Sequence, residues 1–423
     1  MMHPYLQKAA VGGPAAKDRA IRLAVFCTHP IQYQVPLWRA LAASPLLHVE
    51  VFYATDMSIR GYRDTGFGTT VKWDVPLTDG YAHTFLSRDP QIQRVTPWHP
   101  GAGWLGSLLD RFQPDVALIT AYGGRFWLEV ILQLRLRGVP VVLRHEASDT
   151  AAGRGAVRHL LRDLCLRVLY SQISGFGAIG TAAKRHLNRL GVSAARVVDT
   201  PYCVDSDLLE AQARRWLPQR PFLRAELGVA AEDCIFLFSG KLVPKKAPLL
   251  LLRALGNLRP ESLRRVHLLV LGDGEQRGMV EAEGRRLLGE RCHVLGFINQ
   301  SELGRYYASA DCLVLPSEAA AGETWGLVVN EALHFGLPVI ASDGVGCHPD
   351  LIPDRRTGQV FPSGDASALA RHLDELAGEL PGRRGDYAAQ AAARIENFTS
   401  GKVVQGLVKL VQSAAHLSGI QVA

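Results

Sequence analysis

The chain has 423 residues, of which 48% are hydrophobic and 21% are charged, and it carries a formal net charge of +7. This length exceeds one ordinary domain, and the composition is typical of a globular protein with a sizeable core, which excludes a disordered chain. The mild positive charge favours anionic ligands or an anionic membrane surface, and nucleic acid is only a weak alternative partner.

Residues 1–20 have no apolar segment of the kind found in signal peptides, so we expect a disordered leader and no export. Apolar runs elsewhere, such as residues 116–119, are of strand length and well short of the ~18 residues that cross a membrane. The seven cysteines stand singly, without C-x-x-C spacing. This pattern predicts buried thiols without a disulfide framework or a zinc site, in a reducing cytoplasm.

The first half of the chain alternates apolar runs of strand length with amphipathic helical segments. The predicted strands span residues 21–27, 49–53, 116–120, 139–143 and 173–179. The predicted helices span about residues 35–43, 125–137, 155–170 and 181–190. This alternation predicts a parallel sheet covered by helices.

The densest basic stretch runs from Arg154 to Arg167 and so covers most of the predicted helix 155–170. Arg154, Arg158, Arg162 and Arg167 alternate there with leucine and valine residues. A basic amphipathic helix can rest on an anionic membrane. The solvated face of an ordinary domain helix is the alternative that this pattern leaves open.

Polar clusters follow two of the predicted strands. His29, Gln32 and Tyr33 come after the first strand, and Arg144 and His145 end the strand predicted at 139–143. Parallel sheets bind ligands at the carboxyl ends of their strands, so both clusters are expected to face an interdomain cleft. A proline-stiffened loop with a packed Tyr33, and an ordinary loop histidine, are the alternatives.

The second half repeats the same alternation. The predicted strands span residues 235–239, 266–271, 293–296, 312–315 and 338–341. The predicted helices span residues 248–258, 275–288, 301–308 and 327–335. We therefore expect a second doubly wound unit.

The link between the two units is placed in residues 203–232, which contain Pro218 and Pro221 and no clear strand. The expected organisation is a leader 1–20, a first domain 21–202, a second domain 203–400 that includes this link, and a C-terminal helix within 401–423 that could pack back on the first domain.

Glycines and lysines follow the first two strands of the second unit. Gly240, Lys241 and Lys246 lie after the first of these strands, where cations can neutralise a diphosphate. Gly272 and Gly274 form a G-x-G turn after the next strand, but the spacing does not fit an NAD site. The turn is either structural or in contact with a nucleotide.

Two acidic residues, Glu323 and Glu331, lie eight positions apart across a loop that turns into a helix. The amides of residues 324–328, at the start of that helix, lack helical partners and attract phosphate. Carboxylates beside them can accept hydrogen bonds from sugar hydroxyls, so a sugar nucleotide is the fitting ligand. A helix cap for Glu323 and a surface ion pair for Glu331 are the alternatives.

Taken in order, these motifs resemble those of the retaining glycosyltransferases of family 4. The E-x7-E, with the G-x-P-V-I that follows it, is similar to the family signature. Residues 238–247 resemble the phosphate-binding loop, with Lys241 where the family usually has Arg and Ala247 where it has Gly. Residues 268–274 and 311–317 resemble two of the strand ends of the family. The segment around His29 resembles an H-P-I-Q-Y subgroup.

The resemblance implies an α/β protein with the GT-B fold, in which two doubly wound Rossmann-like domains face each other across a cleft. It implies transfer of a hexose, with retention, from a nucleoside-diphosphate sugar to an acceptor hydroxyl in polysaccharide, glycolipid or glycoconjugate biosynthesis. A UDP-sugar is the favoured donor and a GDP-sugar the alternative, and no metal or other cofactor is expected. A carbohydrate, lipid-linked or small-molecule acceptor is expected. The expected location is the cytoplasm, and peripheral contact with the anionic inner face of a membrane is the reading that the basic helix leaves open.

The resemblance also implies roles for single residues. The implied catalytic residues are Glu323, Lys246 and His145, with Glu146 as the alternative to His145. The implied donor-binding residues are Gly240, Lys241, Lys246, Gly272, Gly274, Glu323, Thr324, Trp325, Gly326, Leu327 and Glu331. The implied acceptor-binding residues are His29, Gln32, Tyr33 and Arg144. A GT-B epimerase or phosphorylase, and a nucleotide-sugar-binding protein without turnover, are the rival functions.

Overall fold

The structure is a computed structural model that describes residues 19–64, 66, 68–146, 149, 156–319 and 322–417. The leader predicted at 1–20 therefore lies outside the described residues except for its last two positions. Residues 418–423 also lie outside the described residues. In the part that the structure describes, no helix is both long and apolar enough to cross a bilayer.

The first domain is built on a seven-stranded parallel sheet. The strands of this domain are β1 (Ile21–Cys27), β2 (Leu47–Tyr53), β3 (Tyr62–Asp64), β4 (Thr69–Val71), β5 (Ala82–Phe85), β6 (Val116–Ile119), β7 (Val141–His145), β8 (Gly175–Ala178) and β9 (Val197–Asp199). Its helices are α1 (Val35–Ala42), α2 (Met57–Arg60), α3 (Leu105–Phe112), α4 (Arg125–Leu136), α5 (Ala156–Ser171) and α6 (Gly180–Arg189). The sheet order is β5-β2-β1-β6-β7-β8-β9, and β3 and β4 form a separate antiparallel hairpin.

The second domain is built on a six-stranded parallel sheet. Its strands are β10 (Cys234–Ser239), β11 (Val266–Leu271), β12 (Cys292–Val294), β13 (Cys312–Leu315), β14 (Val339–Ser342) and β15 (Gly358–Phe361), in the order β12-β11-β10-β13-β14-β15. The helices of this half are α7 (Ser206–Trp216), α8 (Arg220–Glu226), α9 (Pro248–Gly256), α10 (Pro260–Arg264), α11 (Arg277–Leu288), α12 (Gln300–Ser309), α13 (Leu327–His334), α14 (His348–Leu351), α15 (Ala366–Ile395) and α16 (Ser400–Leu417).

Central strands are buried on both faces, which is why their sequences are almost entirely apolar. In β10, Ile235 and Leu237 belong to one core, whereas Phe236 and Phe238 belong to the core on the opposite face of the sheet. This division follows from the two-residue period of a strand. Helices must therefore cover both faces, and the predicted fold of two doubly wound sheets is confirmed.

The predicted link at 203–232 is largely helical in the structure. It contains α7 and α8, whose Leu209 and Leu223 belong to the core of the second domain. Pro221 lies in the first turn of α8, where a helix tolerates proline because that position needs no amide donor. The two prolines that suggested an irregular link lie between α7 and α8 and in the first turn of α8. The chain crosses between the domains just before α7.

Helix α16 completes the first domain. Its Val403 and Leu407 are buried in the same core as Leu23 and Val25 of β1. The helix lies against β8, where a Cβ atom added to Gly175 would come within 2.8 Å of the Leu410 side chain. The end of the chain thus returns from the second domain to cover the first sheet.

A buried charge cluster ties the start of β13 to α8 and α15. Asp311 Oδ2 accepts hydrogen bonds from the Ile235 amide at 2.8 Å and from Arg224 Nη1 at 2.7 Å. Arg384 Nη1 lies 3.2 Å from Asp311 Oδ1, which also accepts from Arg220. Burial lowers the pKa of Arg220 to about 10. One carboxylate therefore compensates three largely buried guanidinium groups.

Replacing Asp311 by Asn leaves these guanidinium groups without their counter-charge, so we expect the free energy of unfolding to fall by about 3–5 kcal/mol. Urea denaturation of the purified chain measures this loss. The matched control is Asp354→Asn, which removes an exposed carboxylate paired with Arg356 and should leave the midpoint nearly unchanged. Equal midpoints for the two variants would contradict the structural role of the cluster.

Candidate active site

The carboxyl ends of the two sheets meet at an interdomain cleft. In each sheet the strand order reverses beside a central strand, at β1–β6 and at β10–β13, which is where open α/β sheets bind ligands. A cavity of about 210 Å3 lies at this position. Its lining combines Gln32 and Tyr33 of the first domain with Gly240, Gly272 and Glu331 of the second. Five residues predicted from separate motifs thus share one cavity.

Lys246 and Glu323 form an ion pair on the second-domain side of the cleft. Lys246 Nζ lies 2.6 Å from Glu323 Oε2, and Ser317 Oγ donates to the same oxygen at 3.3 Å. The two charged side chains are only 18% and 13% exposed. The ammonium keeps further protons, and the carboxylate keeps further lone pairs, for a ligand.

Lys241 is held by a residue of the other domain. Its Nζ lies 2.7 and 2.9 Å from the two carboxylate oxygens of Asp64, at the end of β3. The side chain also packs against the turn of the β3–β4 hairpin, since a Cβ atom added to Gly66 would lie 2.7 Å from Lys241 Cδ. The hairpin therefore covers the predicted phosphate-binding loop.

The predicted glycine turn brings two strand ends unusually close. Gly272 has a φ of 154°, and a Cβ atom there would lie 1.8 Å from the carbonyl oxygen of Gly240. At Gly274 the same atom would lie 2.5 Å from the carbonyl oxygen of Leu242. The turn has a structural need for glycine, while Gly240 and Gly272 also line the cavity. Ala247, in the same loop region, adopts a left-handed φ of 50° that glycine would tolerate better.

Glu331 lies on α13 and lines the cavity from within the protein. Tyr307 of α12 donates its hydroxyl to Glu331 Oε2 at 2.6 Å, and both residues are buried. Burial raises the pKa of Glu331 to about 7. The side chain is therefore poised between a neutral and a charged form near neutral pH.

The loop before α13 presents its backbone rather than its largest side chain. Trp325 is 2% exposed, and its indole nitrogen donates to the Asn330 side chain at 2.8 Å. Gly326 has a φ of 101°, and a Cβ atom there would lie 2.9 Å from the Leu315 side chain. Thr324 is half-buried, and Leu327 starts the helix and lines the cavity.

The predicted cluster after β1 is divided between the cavity and its surroundings. Gln32 and Tyr33 line the cavity, whereas His29 is not among the described lining residues. His29 Nδ1 lies 3.0 Å from Thr28 Oγ1, and burial lowers the pKa of this histidine to about 4, so the ring is neutral. Burial raises the pKa of Tyr33 to about 12, and its ring stands edge-on to Tyr202 with centroids 5.4 Å apart.

Arg144, predicted to bind the acceptor, instead holds the chain where it crosses between the domains. The residue is 2% exposed, and its guanidinium donates to the carbonyls of Thr200 at 3.3 Å and Pro201 at 2.7 Å. It also stacks over the Tyr202 ring at 5.0 Å. The structure thus directs these donors to the backbone, which gives Arg144 a positioning role.

His145 and Glu146 were the two candidates for one catalytic position, and the structure describes the side chain of Glu146. The backbone of His145 ends β7, and its side chain lies outside the described residues. Glu146 is exposed and accepts a hydrogen bond from the buried Tyr202 hydroxyl. The Glu146 carboxylate is therefore hydrogen-bonded to the segment where the chain crosses between the domains.

Throughout the described ranges, no three His, Cys, Asp or Glu side chains converge as a metal site.

Two residues of the site escaped the sequence analysis. Asp64 belongs to a hairpin with short strands and no apolar alternation, so no local pattern points to it. Tyr307 lies on a helix that was predicted, but its partner Glu331 is far along the chain and no spacing links them. Both are brought to the site only by the tertiary fold.

The second half of the chain is similar in sequence to known glycosyltransferases. Residues 219–391 match the family model described as "Glycosyl transferases group 1". A D-inositol 3-phosphate glycosyltransferase from Streptomyces scabiei is 36% identical over 190 residues, which cover 42% of this chain and 41% of that relative. The match therefore spans less than half of the length of either protein.

Solved structures match over nearly the whole chain. A glycosyltransferase from Rickettsia africae has a TM-score of 0.69 at 14% identity and covers 93% of this chain and 98% of its own. The Anabaena protein HepE, in complex with UDP-glucose, has a TM-score of 0.62 at 17% identity and covers 94% and 100%. At these identities the likeness concerns the fold. The chain thus has the GT-B fold, and its residues 219–391 are similar to the glycosyltransferases of group 1.

Proposed function

We propose that the chain is a retaining glycosyltransferase that transfers a hexose from a nucleoside-diphosphate sugar to an acceptor hydroxyl. The observation that carries the proposal is the pairing of Lys246 with Glu323, 2.6 Å apart, with Lys246 beside Gly240 of the cavity lining. A cation that suits phosphate and a carboxylate that suits sugar hydroxyls lie side by side there. This is the arrangement needed at the junction between the diphosphate and the hexose.

The nucleotide would lie in the cavity above Gly240 and Gly272. Glu331 would accept hydrogen bonds from the ribose hydroxyls, and Lys241 and Lys246 would donate to the diphosphate. UDP is the favoured nucleotide and GDP the alternative. The complex of HepE with UDP-glucose, in a protein of the same fold, supports this choice.

The proposed chemistry is a substitution on one face of the sugar. The bond between the anomeric carbon and the phosphate oxygen breaks, and the acceptor oxygen attacks from the same side, so the configuration is retained. The departing phosphate oxygen takes the acceptor proton. Charge develops on the diphosphate, where the two ammonium groups stabilise it, so no metal or other cofactor is required in this scheme.

The acceptor would enter from the first-domain side of the cleft, beside Gln32 and Tyr33. We place the protein in the cytoplasm, in peripheral contact with the inner membrane, where a lipid-linked, carbohydrate or small-molecule acceptor would be available. Most of its cysteines are buried free thiols, which suits a reducing compartment.

Product analysis tests the proposal directly. The purified chain is incubated with UDP- or GDP-hexoses and candidate acceptors, starting with the D-inositol 3-phosphate that names its relatives. NMR then gives the anomeric configuration of the product. An α-linked product from an α-linked donor is expected. A β-linked product would overturn the retaining mechanism, and an altered donor hexose without transfer would indicate an epimerase.

The ion pair gives the sharpest mutational prediction. Lys246→Ala and Glu323→Gln should each lower kcat/KM by about 100-fold or more, because each removes a group that acts on developing charge or on sugar orientation. Each single change also leaves a partly buried charge unpaired and should lower the melting temperature. The double variant should regain stability but not activity.

The matched control for the ion pair is Lys245→Ala. The side chain of this neighbouring lysine donates to the Gly322 carbonyl at 3.3 Å, and its backbone contact with the Glu318 amide survives the substitution, so kcat/KM should stay near the wild-type value. Recovery of activity in the double variant would show that the pair is structural.

Asp64 competes with the donor for Lys241. Asp64→Asn should therefore tighten UDP binding by about two- to fivefold, the modest size expected for a partly exposed pair. Isothermal titration calorimetry measures the change. The control is Asp74→Asn, which removes another carboxylate that joins the domains, through Ser301, without touching Lys241. Weaker UDP binding by Asp64→Asn alone would mean that Asp64 assists the bound donor.

Glu331 should give the stability of the ligand-free protein a pH dependence. Its pKa is raised from 4.5 to about 7 in the folded state, so the protonated side chain stabilises the fold fully below pH 4.5. This contribution is lost as the pH rises through 7. Glu331→Gln removes the titration, so its stability relative to the wild type should rise by about 1–3 kcal/mol between pH 4.5 and pH 8.

Urea denaturation across this pH range measures the difference, and Glu302→Gln, on the exposed face of α12, serves as the control. The same Glu331→Gln variant should lose most of the thermal shift produced by UDP at pH 8, because the ribose hydroxyls lose their charged acceptor. A flat stability difference across the pH range would show that Glu331 is already ionised in the fold.

A further inference from the structure

Two neighbouring helices of the first domain expose a large apolar surface. On α4, Leu128, Leu132 and Leu136 follow one another at four-residue spacing and are 57–73% exposed. Side chains at this spacing lie on one face of a helix. Leucine side chains are usually buried, so a stripe of exposed leucines marks a surface that contacts a membrane or another protein.

The second helix continues this surface. On α5, Leu160, Leu161, Leu164 and Val168 are also 57–71% exposed. The inner side of α5, with Tyr170, packs into the same core as Val130 on the inner side of α4. The outer sides of α4 and α5 therefore lie on one side of the domain. We call this surface the α4/α5 face.

The charges on the α4/α5 face have one sign. Arg135, Arg158 and Arg167 are exposed there, and none of them forms an ion pair with a carboxylate of the described residues. The acidic side chains of the two helices are paired with arginines. Glu129 pairs with Arg125, and Asp163 pairs with Arg162 and Arg189. The face is thus apolar and basic.

An aromatic side chain borders the face where α4 begins. Trp98 is 78% exposed, and the preceding residue, Pro97, accepts a hydrogen bond from the Arg125 amide at 2.7 Å. Tryptophan, with an apolar body and a polar edge, favours the boundary between lipid and water. Its position beside an apolar and basic surface fits that boundary.

We propose that the α4/α5 face docks on a bilayer that contains anionic lipids. The leucines would enter the upper acyl region while the arginines meet the phosphates of the headgroups. A second copy of the chain is the less suitable occupant, because a symmetric contact would bring the same positive charges together.

Docking would also orient the cleft. Both α4 and α5 begin at the carboxyl edge of the first sheet, the edge that carries Gln32 and Tyr33. The acceptor side of the cleft would then lie near the headgroups, where a lipid-linked acceptor is presented. This last step rests on the proposed function, whereas binding to lipid does not.

The test uses the full chain and vesicles of phosphatidylcholine, with or without phosphatidylglycerol. Co-sedimentation should show binding only to the vesicles with phosphatidylglycerol, weakened by salt. Leu132→Gln/Leu136→Gln combined with Leu161→Gln/Leu164→Gln should reduce the bound fraction at least tenfold. Arg158→Gln/Arg167→Gln should also reduce it, by about fivefold per arginine.

Matched controls lie on the second domain. Phe222→Gln/Met279→Gln removes two exposed apolar side chains there, and Arg253→Gln/Arg371→Gln removes two exposed cations. Neither should change vesicle binding, and all variants should keep the wild-type melting temperature and thermal shift with UDP.

Three outcomes would overturn the proposal. These are binding to neither kind of vesicle, binding that the leucine substitutions leave intact, and an oligomer of the wild-type chain that the same substitutions dissociate. A failure of nucleotide binding in the wild type would instead count against the proposed donor site, because the two surfaces share no residue.

Discussion

The structure depends on a buried hydrogen-bond network where the chain crosses from one domain to the other. Arg144, at the end of β7, donates to carbonyls of the crossing segment. Asn330 then joins the two domains, because its side chain donates to the Tyr202 carbonyl at 3.2 Å and accepts from Trp325 at 2.8 Å. Such buried groups are costly to leave unpaired. Since Glu331 follows Asn330 on α13, the network that fixes the crossing also fixes a wall of the cavity.

Around this fixed centre, the charged and acidic groups proposed for the site have protein partners. The pairs are Lys246 with Glu323, Lys241 with Asp64, and Glu331 with Tyr307. Charges buried without partners would destabilise the fold, so these pairs contribute to its stability. The proposed donor, which carries two phosphates and a ribose, would replace these partners. Binding would then exchange one set of hydrogen bonds for another. A ligand with matching polar groups would bind tightly, and one without them would bind weakly.

The sequence predicted what depends on local pattern and missed what depends on the tertiary fold. The bounds of β1, β11 and β13 were predicted to the residue, because these strands are almost entirely apolar. Edge strands such as β5 and β9 are partly exposed and were missed. Glu331 of the E-x7-E and Gly240 of the lysine loop line one cavity, whereas Glu323, Lys241 and Lys246 are not among its described lining residues. Their roles at the site stay predictions. Arg144 was placed at the right strand end, but its donors turn to the backbone, a direction that no sequence pattern specifies.

The contacts between the domains differ in strength, and the difference suggests how the cleft opens. On one side the Thr181 amide and hydroxyl donate to Asp350, and on the other the Ser301 hydroxyl donates to Asp74 at 2.5 Å. These polar contacts can be exchanged for water at little net cost, unlike the buried crossing. Opening should therefore be a rotation about the crossing. Because Asp64 lies on the β3–β4 hairpin of the first domain, the same rotation would separate it from Lys241. The lysine would then be available to the diphosphate of the proposed donor, and closure would bring the two domains together around that donor.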